Sequence, residues 1–234
     1  MVKNKLYRII KLILLLLPVT SLAQHVELLQ QNKPVSIRGL SVVDNNVAWA
    51  SGSKGYIAVT TNGGKSWNWQ QVKGFEKCDF RDIEAFSAKK AIIISSGTPA
   101  LILKTLDSGN TLKVIYRKDD SAYFLDAIDF DSPKHGFLMG DPINNKFFLM
   151  ETKDGGDSWN RVNGPNAIKD QAAFAASGTC ITVNTFPTIV TGGSSAEMIR
   201  KNKTGWLHRP LPVLHSQSSQ GIFSIVANKN IGLL

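Results

Sequence analysis

The sequence predicts an all-β fold, a β-propeller of four-stranded blades, present as an incomplete arc of about four and a half blades. Three observations predict it. A turn motif recurs at a fixed spacing, four short β-rich runs surround each copy, and no segment after residue 23 sustains the 3.6-residue apolar period of a helix. A helical repeat needs that period, and a β-sandwich shows no fixed repeat at all.

In chain order, the first element is not part of the repeat. Lys3, Lys5, Arg8 and Lys11 precede the apolar run Leu12 to Val19, and the small-residue stretch Ser21-Leu22-Ala23 then meets Gln24. Residues 1–23 read as a secretory signal peptide. The apolar run is too short to span about 30 Å of hydrocarbon, and no stop-transfer charge cluster follows it. The expectation is an exported chain, periplasmic or secreted, with no transmembrane anchor after cleavage. Cleavage removes four basic and no acidic residues, lowering the formal charge from +9 to +5. That excess, without a dense Lys/Arg run, argues against nucleic acid and leaves an anionic ligand or a protein as partner. Export permits a disulfide between Cys78 and Cys180; two separate thiols are the alternative.

The second element is the repeat itself, over 24–234. Its motif appears as Thr60-Thr61-Asn62-Gly63-Gly64-Lys65-Ser66-Trp67, as Thr105-Leu106-Asp107-Ser108-Gly109-Asn110-Thr111-Leu112, and as Thr152-Lys153-Asp154-Gly155-Gly156-Asp157-Ser158-Trp159. The closing positions lie 45 and 47 residues apart, and a further 47 lands on Trp206, where the motif is degenerate. Blade-like units are expected at about 36–72, 79–116, 122–162 and 173–213, with a truncated fifth from 221. The motif falls in the turn between the third and fourth strands. There Asn62, Asp107 and Asp154 accept from turn N–H groups, Gly64, Gly109 and Gly156 supply positive φ, and the hydroxyls of Thr60, Ser66, Thr105, Thr111, Thr152 and Ser158 tie neighbouring backbone. Trp67 and Trp159 are expected to pack between blades.

The third element is a functional face. In a meander the start of the first strand and the second-to-third loop share one end of the blade. Arg38 and Arg81 start the innermost strands of units one and two, with Leu125 and Gly178 aligned to them in units three and four. The loops on this face include Thr98 and Asp141, and the connection Asn163 to Ser177 is expected to cross it. Guanidinium forks suit carboxylates, so Arg38, Arg81, Thr98 and Asp141 are the candidate binding residues for a protein or anionic ligand. Pairing of each arginine with a nearby carboxylate such as Asp82 or Asp126, merely sealing the channel, is the structural alternative. No catalytic residues, metal ligands or cofactors are expected. Nucleotide-binding, haem-attachment, zinc-protease and nucleophile-elbow motifs are all missing from the sequence.

The three turns resemble the Asp box (BNR repeat) of sialidases and the wider sialidase-like propellers, where the boxes are fold elements away from the active site. Gly97-Thr98-Pro99-Ala100, Met139-Gly140-Asp141-Pro142, Phe174 to Cys180 and Ser219 to Ser224 resemble the exported bacterial relatives of the photosystem II stability and assembly factor. That resemblance implies a seven-bladed ring of about 320 residues and a noncatalytic, assembly-factor-like protein-binding role through an arginine-rich face. The chain after residue 23 has 211 residues, so a truncated product or fragment is expected. Two alternatives follow from the same resemblances: a sialidase-like glycoside hydrolase, and an oxidoreductase, a label some relatives carry, for which the sequence offers no cofactor site. When the full gene is expressed in an exporting host, mass spectrometry of the exported protein should find Gln24 as its first residue; retention of Met1 would remove the signal-peptide reading.

Overall fold

The computed structural model describes residues 28, 30, 32–176, 178–227 and 232–233. The signal-peptide reading of residues 1–23 and the fifth-unit turn Asn228-Lys229-Asn230 lie outside them. The compact unit Asn32–Leu234 holds every strand described below. No helix of the described residues is long and apolar enough to cross a membrane.

Four sheets of four antiparallel strands follow one another along the chain. Blade 1 is β1 (Ile37–Val42), β2 (Ala48–Gly52), β3 (Tyr56–Thr60) and β4 (Asn68–Gln71). Blade 2 is β5 (Asp79–Ala85), β6 (Ala91–Ser96), β7 (Ala100–Thr105) and β8 (Lys113–Lys118). Blade 3 is β9 (Leu125–Phe130), β10 (Gly136–Ile143), β11 (Lys146–Thr152) and the short β12 (Asn160–Arg161). After β13 (Gln171–Ala172), blade 4 comprises β14 (Ile181–Asn184), β15 (Phe186–Val190), β17 (Glu197–Lys201) and β18 (Trp206–Pro210). The chain is thus an incomplete β-propeller, an arc in which the inner strands β1, β5, β9 and β14 are successive neighbours.

One sheet has no counterpart in the repeat. β13, β16 (Gly192–Gly193) and β19 (Gln217–Gly221) form a three-stranded sheet that ties the entry of blade 4, its second-to-third loop and its exit together. Beyond it β20 (Val226–Ala227) pairs with β21 (Gly232–Leu233).

Apolar alternation explains the order of packing, because each blade buries one face against its predecessor. Trp49, Ile57 and Val59 of blade 1 pack with Phe80, Ile83, Ile93 and Leu103 of blade 2, and Leu112 closes that cluster. Ile92, Ile94 and Ile102 of blade 2 pack with Leu138, Phe148 and Met150 of blade 3, and Trp159 closes it, edge-on to Phe130 at 5.9 Å. Phe137, Met139 and Leu149 then meet Ile181, Ile189 and Ile199 of blade 4, with Trp206 at the edge. The closing residues of blades 2, 3 and 4 therefore lie against the blade before their own. Trp67, the closing residue of blade 1, is half-buried and belongs to none of these clusters. Cys180 is buried beside Met139 and Cys78 is half-buried; both are free thiols, which answers the disulfide alternative.

All three motif turns have one hydrogen-bond pattern. In blade 3 the Thr152 hydroxyl donates to Asp154 Oδ1 at 2.9 Å and accepts from Gly156 N at 2.9 Å, while Asp154 Oδ1 accepts from Ser158 N at 2.9 Å. Thr105, Asp107, Gly109 and Thr111 repeat this in blade 2, and Thr60, Asn62, Gly64 and Ser66 in blade 1. Gly64, Gly109 and Gly156 sit at φ of 86°, 84° and 80°, where a Cβ is strained. Hydrogen bonds from the Ser158 hydroxyl and backbone hold the Asp154 carboxyl down to about 2. Removing one hydroxyl orphans the buried Gly156 N–H. Thr152→Val should therefore destabilise the chain by about 1–2 kcal/mol in urea unfolding at neutral pH, and an unchanged midpoint would show the turn to be dispensable.

Candidate functional site

At the end of the blades opposite the motif turns, each of the first three inner strands carries a one-residue bulge at the same place. In blade 1, Ile37 pairs with Gly52 and Gly39 with Ser51, leaving Arg38 between them. In blade 2, Phe80 pairs with Ser95 and Asp82 with Ile94, leaving Arg81. In blade 3, Leu125 pairs with Gly140 and Ala127 with Met139, leaving Asp126. A bulge re-aims the extra side chain and bends the strand, so these residues leave the ordinary in-and-out alternation. This corrects the sequence alignment, which set Leu125 opposite the arginines; the equivalent residue is Asp126, and Leu125 is core.

The two arginines converge on one acid. Arg38 Nε donates to Asp79 Oδ1 at 3.3 Å, and a terminal nitrogen of Arg81 meets Asp79 Oδ2 at 2.9 Å. Arg81 Nε also donates to the Ser96 hydroxyl at 3.1 Å, and its guanidinium lies 5.6 Å from the centre of the Phe124 ring. Each arginine thus pairs with a nearby carboxylate, as the sealing alternative expected, and that carboxylate is Asp79 rather than Asp82 or Asp126. The Arg38 and Arg81 side chains keep 34% and 17% of their exposure, and these bonds use one and two of the N–H groups in each fork.

Asp141 stands on the same face. Its N–H donates to the Phe124 carbonyl at 3.0 Å, and a side chain at Gly140 would strike that carbonyl, so a glycine is required for the approach. Burial raises the Asp141 carboxyl to about 6. Burial, and after it the charge of Asp141, push Asp126 well above the usual range, with Arg81 opposing. Thr98 is exposed in the loop just beyond Ser96. The connection after blade 3 does cross this face: Ala167 N donates to Asn145 O at 2.9 Å, and Asp170 O accepts from Ser194 N at 3.0 Å. His135 lies in the blade 3 turn between β9 and β10, held by Asp131 and Glu151.

Below the mouth, a cavity of about 250 Å³ follows the inner strands, lined by Asp82, Glu84, Asp129, Thr182 and Ser224 among others. Asp82 accepts from Ile83 N and, across to blade 3, from Ile128 N at 3.0 Å. Burial outweighs these bonds and keeps its carboxyl well above the usual range. Asp129 accepts from Val183 N of blade 4 and is raised by burial to about 6; Glu84 is raised to about 8 by burial and by Asp129.

Asp79, Ser96, Phe124 and Asp126 were not singled out from sequence as functional. Strand alternation places Asp79 on the side of Arg81, a signal that was available. The sequence marks Asp126 as a carboxylate near the arginines, but its equivalence to them rests on a bulge, which leaves no mark in one sequence.

No family model matches the chain, and no curated protein matches it. Among solved structures it is similar to YCF48 from Cyanidioschyzon merolae, at 14% identity and a TM-score of 0.55, covering 79% of this chain and 60% of that one. The extracellular domain of the hybrid two-component system BT4673 from B. thetaiotaomicron matches at 10% identity and a TM-score of 0.58, over 87% of this chain and 26% of that one. YCF48 bound to a D1 peptide matches at 14% and 0.46, over 74% and 68%. At these identities the likeness shows the β-propeller fold, and the chain spans little more than half of the algal protein.

Asp82, Asp129, Asp141 and Glu84 all hold their protons more tightly folded than unfolded. Their stabilising effect is therefore complete below the ordinary carboxyl range and is lost as pH rises through about 6 for Asp129 and Asp141 and about 8 for Glu84. Thermal melts followed by circular dichroism should show the midpoint falling between about pH 5 and pH 9, with Glu84→Gln flattening the upper part of the fall. A midpoint that rises over this range would contradict the assignment.

Proposed function

We propose that this chain is an exported, noncatalytic β-propeller module that binds an acidic segment of a partner protein at the Arg38/Arg81 mouth. The observation that carries the reading is the convergence of two arginines, projected by equivalent bulges of adjacent blades, on the single carboxylate of Asp79. One carboxylate shared by two guanidinium forks leaves net positive charge and donor capacity, which suits a second carboxylate from outside. Phe124 supplies an apolar wall beside Arg81. Guanidinium forks bind such groups without activating water or a nucleophile, so the site favours capture over catalysis.

An array of short acidic peptides, each probed with the full chain, tests this. Arg38→Gln combined with Arg81→Gln should weaken capture by at least about tenfold, the loss of one or more charge-assisted hydrogen bonds, while the thermal midpoint moves little. Capture that survives the double substitution would place the binding surface elsewhere. Turnover of aryl glycosides by the same preparation would instead favour the hydrolase reading.

A further inference from the structure

The third bulge breaks the pattern of the first two. Where blades 1 and 2 project Arg38 and Arg81, blade 3 projects Asp126, which is 1% exposed and whose Oδ2 has no hydrogen-bond partner among the described residues. Asp141, from the end of the neighbouring β10, likewise has a buried Oδ1 without a partner. Arg81 is the cation within reach of Asp126, and Phe124 links them: its ring flanks Arg81 while its carbonyl fixes the backbone of Asp141. The ionisable groups that face the pair are Arg81 from β5, itself paired with Asp79, and Cys180 ahead of β14.

Two neighbouring carboxyl groups with unpartnered buried oxygens are stable when protons, rather than charges, occupy them. Resting on the acidic-segment reading above, we infer that Asp126 and Asp141 set the charge selectivity of the mouth: an acidic ligand is admitted to Arg81 while the pair is uncharged and is opposed once Asp141 ionises. Asp126 is the more deeply buried and keeps its proton, whereas Asp141 releases its proton to solvent at about 6. Ionised Asp141 then adds a negative charge next to Asp126, which Arg81 faces, weakening the positive field at Arg81 and repelling the ligand.

The probe is a rhodamine-labelled penta-aspartate peptide, whose carboxylates stay ionised over the range used, titrated by fluorescence polarisation into the full chain at pH 5.5 and 7.5. Binding should be about tenfold weaker at the higher pH, an electrostatic effect of one added charge near the site, and Asp141→Asn should hold the tighter affinity at both. Binding that does not change with pH, or an equal loss in Asp141→Asn, overturns the inference and leaves the acidic-segment reading standing. No binding at either pH overturns that reading and the inference with it. An NMR titration of the Asp141 side-chain carboxyl in the unaltered chain checks the charge change independently of any variant, and a midpoint in the ordinary range near 4 would also overturn it.

Discussion

The structure depends on how one blade satisfies the inner edge of the next. The inner strand of a four-stranded blade has one side without a sheet partner, and buried N–H groups there are costly if left alone. In this chain side chains of the preceding blade accept from them: Ser41 from Ala85 N, Asp82 from Ile128 N, and Asp129 from Val183 N. These bonds fix the rotation between blades, on which burial of the clusters closed by Leu112, Trp159 and Trp206 depends. Two of the three acceptors are acids near the axis, Asp82 and Asp129, where desolvation favours the protonated form. The raised carboxyls of the channel follow from the way the blades are joined.

The bulges follow from the same crowding near the axis. An inner strand must bend to stay beside its neighbour, and an extra residue lets it bend. That residue is freed from the ladder and turned toward the mouth. Three blades repeat the device with Arg38, Arg81 and Asp126, so a structural necessity brings two guanidinium groups and a buried carboxyl to one end of the blades. Asp79 and Ser96 hold the arginines in place, and Phe124 screens one side. The face opposite carries the rigid motif turns, whose aspartates are held ionised by hydrogen bonds and are fully occupied in closing the chain on itself.

Much of the fold was legible because the repeat is local. Thr, Asp or Asn, Gly and Ser at fixed offsets make one turn by themselves, and a period set by that turn identifies the blades. The sheet of β13, β16 and β19 was not legible, because its strands are two to five residues long and come from three separate connections. That the arginines pair with a nearby carboxylate was legible; that the carboxylate is Asp79, two residues before Arg81 on the same strand, was marked by alternation along β5.

The sequence by itself determined the all-β class, the four-stranded repeat, the closing positions Leu112, Trp159 and Trp206, and the end of the blades where Arg38 and Arg81 stand. Each of these rests on residue type and spacing within a single blade. Tertiary structure alone decided that Asp79 binds both arginines, that Asp126 takes their place in the third blade, and that Asp82 and Asp129 serve the blade after their own. The contacts that cross from blade to blade, Arg38 to Asp79, Asp82 to Ile128 and Asp129 to Val183, join residues 41 to 54 positions apart, and their geometry is set by the rotation between blades and the bulges that permit it.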